Sequence, residues 1–154
     1  MTVTEIPTAV HRGDDELPWV DIGDGSLLKV LQIKEREGLW VIRNRFMAGY
    51  RVQTHKHTGP VFAYTETGAW RYLESDFANT AGSYLYEPAG SVHTLVVPEA
   101  NTEPTDVFFA IHGANLNLDA EGNVESVYDA SSILQAYLFL CEAAGLPRPP
   151  VVID

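Results

Sequence analysis

Three of the five histidines in this 154-residue chain fall in two short constellations, and the first is the spacing H-x-H. His55 and His57 flank Lys56 in a segment of strand character. On a strand alternate side chains leave the same face, about 7 Å apart at the backbone. Two imidazoles so placed can converge on one divalent metal ion. An H-x-H pair is common by chance, so its meaning depends on what surrounds it. His11 lies in a stretch without periodicity and carries no signal. His112 is placed either lining a cavity or, as a hydrogen-bonded histidine, in the core.

The elements that must position these residues are strands. Residues 1–26 read as an irregular arm, which Pro18 and Trp19 can pin to something apolar. Leu27 to Lys34 and Leu39 to Phe46 are apolar-rich runs joined by Glu35, Arg36, Glu37 and Gly38, a hairpin with glycine at its turn. Further strands are predicted over Arg51 to His57, Val61 to Thr65, Trp70 to Glu74, Ser83 to Glu87, His93 to Val97 and Val107 to His112, with Val124 to Tyr128 beyond them. Glycines and prolines bound each run. So many short strands without helices between them predict an all-β fold over 27–128, an antiparallel barrel or sandwich, with the small antiparallel β-barrel as the expectation once the histidine motifs are added. One α-helix is expected within 129–146, capped by Asp129 or Ser131 and stopped at Gly145-Leu146-Pro147. Cys141 on that helix reads as packing.

The spacing around the histidines is specific. Gly49 lies six residues before His55 and Gly68 eleven after His57; Gly82, Pro88, Gly90 and His93 then follow as G-x5-P-x-G-x2-H. This resembles the two-part signature of the cupin superfamily, over Gly49 to Val97. The resemblance implies a jelly-roll barrel in which Pro88 and Gly90 turn the chain to present His93 beside His55 and His57, three neutral imidazoles capping one ion. Two positions depart from the pattern. The usual glutamate of the first part falls at Val61 or Phe62, and the usual asparagine of the second at Val97.

Within the cupins, His55-K-His57-T-Gly59-Pro60, Gly68-A-Trp70-R-Tyr72-Leu73-Glu74 and Tyr86-Glu87-Pro88-A-Gly90-S-Val92-His93-Thr94 resemble the 2,4'-dihydroxyacetophenone dioxygenases and, more loosely, acetylacetone-cleaving dioxygenase. That resemblance implies a non-haem Fe(II) held by His55, His57 and His93, dioxygen as co-substrate, and cleavage of a C–C bond next to a carbonyl in an aryl hydroxyketone or β-diketone. It also implies a glutamate near the metal. Glu74 is the candidate as catalytic residue and fourth ligand, because on a strand it shares a face with Trp70 and Tyr72. Glu87 is its rival, or else anchors the turn at Pro88. The same sub-signature is similar to zinc-binding cupins of anti-sigma type, and an isomerase or lyase would use the same histidines. Imidazole accepts iron, zinc, manganese and nickel alike.

Composition narrows the partners. Net charge is −11, and no lysine or arginine occurs from Leu73 to Pro147, where eleven acids lie. Such a surface repels phosphate backbones, so nucleic acid is excluded as an expected partner. No apolar run approaches the roughly 20 residues of a membrane span, and a lone cysteine fits a reducing cytoplasm. Aromatic residues near the motifs suit a flat ketone, and a dianion would have to be met by the metal or by Arg43, Arg45, Arg51 and Arg71. The helix carries apolar residues on more than one face, which predicts a homodimer or homotetramer with the helix or neighbouring edge strands in the interface, unless the arm at Leu17 to Trp19 covers it.

Overall fold

A computed structural model describes residues 6–154; the first five residues of the arm lie outside the described residues. The described residues form fourteen short strands and one α-helix. β1 (Val20–Asp21), β2 (Leu27–Lys34) and β3 (Leu39–Phe46) lead into β4 (His55–His57), β5 (Val61–Thr65), β6 (Ala69–Tyr72), β7 (Ala78–Thr80) and β8 (Tyr84–Glu87). β9 (Val92–His93), β10 (Leu95–Val96), β11 (Thr105–His112), β12 (Asn115–Leu118) and β13 (Val124–Tyr128) precede helix α1 (Ala130–Ala143) and β14 (Val152–Ile153).

The strands make three sheets. The large one runs β1-β2-β3-β11-β5-β8, with β14 added to β2; the smaller ones run β10-β6-β7 and β13-β12-β4-β9. Every pairing is antiparallel except that of β14 with β2. Alternation sorts the side chains. Trp40, Ile42, Val107, Phe109, Ile111, Val61 and Ala63 of the large sheet are buried, and so are Trp70, Tyr72 and Leu95 of the smaller ones. The buried faces meet in one apolar core, where Trp70 lies 6.1 Å from Phe109 between ring centroids. The antiparallel strands are those that the strand pattern predicts, and their arrangement is the jelly roll that the resemblance implies.

Several boundaries differ from expectation for local reasons. Gly38 does turn the β2–β3 connection, with φ 66°, but after a short 3-10 turn at Glu35–Glu37. Arg51 makes only an isolated bridge with Val96, so β4 is confined to three residues. The run His93 to Val97 is split at Thr94 into β9 and β10, which join different sheets. β6 stops at Tyr72, where the chain turns and the Ser75 N–H donates to the Tyr72 carbonyl. The arm is also more structured than expected. Leu17 is its apolar anchor, at 2% exposure. Trp19 instead lies under three cations, Lys29, Arg43 and Arg45, at 4.8, 5.1 and 4.5 Å from its ring centroid.

Asp129 caps α1, its side chain accepting from the Ser132 N–H at 2.9 Å, while the Ser132 hydroxyl accepts from the Asp129 N–H at 2.8 Å and donates to the Asp129 carbonyl at 3.4 Å. Ile133, Tyr137 and Cys141 turn inward, and the Tyr137 hydroxyl donates to the Pro18 carbonyl at 2.6 Å. The arm therefore covers part of the helix, while Phe139 stays exposed. Among the described residues no helix is long and apolar enough to cross a membrane.

Candidate metal centre and cavity

β4 alternates buried, exposed, buried, so Lys56 points out and His55 and His57 point in. β9 pairs with β4 so that His93 stands opposite His55. The three ring centroids form a near-equilateral triangle with sides of 4.8, 4.8 and 4.9 Å. One nitrogen from each ring lies within 4.8 Å of the others. The motif glycines make the connecting turns: Gly49, Gly68, Gly82 and Gly90 all have positive φ. At Gly68 the requirement is also spatial, since a Cβ there would sit 2.6 Å from the Thr105 Cα.

The rings are prepared as ligands. His55 Nδ1 donates to the Gln53 carbonyl at 2.8 Å, which leaves the Nε2 lone pair free for a metal. Burial pushes His55 down to about 4 against the help of that bond, and burial with the neighbouring histidines pushes His93 down to about 3. Both are therefore neutral near pH 7. His57 Nε2 and His93 Nε2 face each other at 3.0 Å, a distance at which they can share one proton at most.

The carboxylate in contact with these rings is Glu87, at His57 and His93, while Glu74 acts on His55 only through its charge. Glu87 is buried at the end of β8, where Leu85 and Glu87 alternate inward, and its oxygens lie 3.2 Å from His57 Nε2 and 3.2 Å from His93 Nε2. Tyr72 donates its hydroxyl to Glu87 and stacks its ring on His93. Glu74 is exposed and accepts from the Thr94 N–H at 2.9 Å. Burial raises the Glu74 carboxyl, but the bonds from Thr94 outweigh it and hold the group below the usual range. The reason for the difference is the end of β6 at Tyr72. Beyond it the two-residue alternation lapses, so sharing a face with Trp70 and Tyr72 no longer applies.

Three imidazoles whose ligand nitrogens lie within 4.8 Å of one another fit a divalent ion, with the Glu87 carboxylate beside two of them. Glu87 Oε2, 3.2 Å from His57 Nε2, is shut off from solvent with no hydrogen-bond partner among the described residues, as expected of an oxygen placed for a cation.

His55 and His57 border a cavity with two adjoining compartments, about 140 and 580 Å³ in volume. Trp40, Ile42, Tyr50, Val52 and His55 line both. His57, Tyr72 and Phe109 line the inner one, and Ile133, Phe139 and Leu140 of α1 help wall the outer one. Of the aromatic residues near the motifs, Phe62, Tyr64, Tyr84 and Tyr86 are exposed instead. His112 is neither hydrogen-bonded through its ring nor part of this cavity; it is half-buried against Phe62, 6.2 Å between centroids. Arg43 and Arg45 are bound to Glu66, Asp14 and Asp106 away from the histidines, and Arg71 is exposed, so only Arg51 of the four arginines borders the cavity. The hydroxyl of Tyr72 and the inward amides of β12 had no sequence signal, because each depends on strand pairing.

The fold and its three-histidine cluster define a cupin. The chain belongs to the family described as the ChrR cupin-like domain, whose model matches residues 8–115. Two solved structures from Ralstonia eutropha JMP134 are similar over nearly the whole length. One is a protein of unknown function with a cupin-like fold, 29% identical with TM-score 0.89, covering 99% of this chain and 96% of that one. The other is an RmlC-like cupin protein, 30% identical with TM-score 0.86, covering 96% and 95%. An acetylacetone dioxygenase from Acinetobacter johnsonii shares the fold at 16% identity, TM-score 0.75, with coverage of 91% and 97%. No curated protein sequence matches the chain.

Proposed function

We propose that this chain is a metal-dependent dioxygenase that holds Fe(II) through His55, His57 and His93, takes a small ketone as its enolate, and cleaves the C–C bond beside the carbonyl. The observation that carries this reading is the position of His55, which contributes to the buried triangle and also lines both compartments of an apolar, aromatic-walled cavity. Glu87 takes the part that the sequence assigns to Glu74. When bound, Fe(II) would supply Lewis acidity toward the ketone oxygens and a redox-active centre through which the enolate's electrons reach dioxygen. The chain's own contribution is placement. Gln53 and Tyr72 fix the rings, and Trp40, Ile42 and Phe109 keep the inner compartment apolar. Three neutral rings and one carboxylate leave a divalent centre positive by one charge, which favours an anionic enolate over a neutral ketone.

The family described as the ChrR cupin-like domain leaves room for a second reading, the zinc-binding module of the anti-sigma type that the sequence resemblance implies, without turnover. Oxygen uptake separates the two. Protein purified without oxygen and loaded with Fe(II) is expected to consume dioxygen with an aryl hydroxyketone or β-diketone and to release carboxylic acid, measured by chromatography. No uptake across a broad ketone panel, together with stoichiometric zinc binding, would favour the second reading.

A further inference from the structure

Strand β3 sends alternate residues toward the core, and three of the four are large, apolar and buried: Trp40, Ile42 and Phe46. The fourth is Asn44. Across the sheet it stands opposite Leu28 on β2 and Val107 on β11, both buried. An asparagine thus interrupts an apolar face among four buried apolar neighbours, two along its strand and two across. Its amide makes no hydrogen bond to a described residue and is not shut off from solvent. The residue is half-buried and opens onto both cavity compartments, which His55 also lines.

Most other polar groups on the inner compartment are committed or out of reach. Trp40 Nε1 donates to the Gly113 carbonyl at 2.9 Å, Tyr72 donates to Glu87, and the Tyr50 hydroxyl donates to Asp24 at 2.6 Å. Asn115 Oδ1 is shut off from solvent. No lysine, arginine, aspartate or glutamate lines this compartment. Asn44, by contrast, offers a ligand both an amide N–H and a carbonyl oxygen that the protein leaves unbonded.

We infer that Asn44 is a specificity-determining residue, whose amide bonds an uncharged hydroxyl carried by the ligand at a position separate from its metal-facing oxygens. This rests on the ketone reading of the cavity. A hydroxyl both donates and accepts, so it matches either atom of the amide. A charged substituent is disfavoured because the inner compartment has no ionic partner for it. A hydrocarbon substituent of the same size would strip water from the amide and return no hydrogen bond, and sites built to bond a hydroxyl discriminate against analogues lacking it. The position also separates function from structure. Among four apolar neighbours a leucine, close to asparagine in size, packs at least as well, so the amide is held there at no gain to the fold.

The test is equilibrium binding, independent of turnover, to the full-length zinc-loaded protein, read by titration calorimetry or ligand-observed NMR. The probes are 3'- and 4'-hydroxyacetophenone against 3'- and 4'-methylacetophenone, in which a methyl group of nearly the same size replaces the hydroxyl. For at least one pair, the ratio of hydroxyl to methyl affinity is expected to fall about fivefold or more from wild type to Asn44→Leu. The variant is expected to keep its metal content and a urea midpoint equal to or above that of wild type. An unchanged ratio for both pairs would overturn the role of Asn44 and leave the ketone reading standing. A lower urea midpoint in Asn44→Leu would make Asn44 a structural residue and overturn the specificity assignment. No binding of any probe to wild type would overturn both the assignment and the ketone reading.

Discussion

Tyr72 lies flat on His93, with ring centroids 3.8 Å apart and planes 11° from parallel, while its hydroxyl donates to Glu87. One side chain thus orients both an imidazole and the carboxylate next to it. Tyr72→Phe keeps the stack and removes the hydroxyl, leaving a buried carboxylate short of a donor. The expected result is a loss of about 1–3 kcal/mol in unfolding free energy, read by urea titration, and weaker metal binding by about tenfold or more.

The histidines and the two glutamates make a matched set. Alanine at His55, His57 or His93 is expected to reduce bound metal sharply in elemental analysis, whereas His11→Ala should leave it unchanged. Glu87→Gln should lower metal affinity and Glu74→Gln should not, because Glu74 bonds the Thr94 backbone outside the triangle. A larger effect at Glu74 than at Glu87 would return the role to the residue on the exposed turn.

Acid should weaken the metal-free protein through its neutral buried rings. His55 and His93 are pushed down to about 4 and about 3, below the value of about 6.5 in an unfolded chain. Between those limits the unfolded chain binds more protons than the folded one, so their stabilisation is complete above about pH 6.5 and declines as pH falls. The urea midpoint is expected to be lower at pH 5.0 than at pH 7.5. His93→Asn should flatten that dependence, and an unchanged slope would contradict the assignment.

Two motif glycines should respond differently to alanine. Gly68, at φ 77°, has Thr105 Cα 2.6 Å from the position of a new Cβ, whereas Gly82, at φ 89°, has open space there. Gly82→Ala is expected to cost about 1–2 kcal/mol from conformation alone. Gly68→Ala should cost more, because the β11 backbone would have to move; denaturant midpoints compare the two.

Self-association is predicted from surfaces left uncovered. Phe139 is 68% exposed on α1, and Tyr84 and Tyr86 are 65% and 53% exposed on β8, the edge strand of the large sheet. Light scattering at micromolar concentration should report a dimer or tetramer. Loss of that mass in Phe139→Lys or in Tyr86→Lys would locate the interface on the helix or on the sheet, and a monomeric wild type would leave the partial cover by Leu17 and Pro18 as sufficient.

The sequence by itself determined whatever depends on neighbours along the chain. H-x-H on a strand puts both imidazoles on one side, Asp129 caps a helix that Gly145 follows, and Pro88 with Gly90 turns the chain before His93. Alternation was reliable only while a strand lasted. It held for Leu85 and Glu87 on β8, and failed for Glu74 because β6 ends two residues earlier. Only the tertiary structure decided which carboxylate meets the histidines, since Glu87 reaches them through pairing of β8 with β5, and His93 through pairing of β9 with β4. It likewise placed Asn115 beside His57, 58 residues earlier in the chain, and seated β14 parallel to β2. These are contacts between distant segments, fixed by which apolar faces bury one another, and local residue pattern carries no record of that choice.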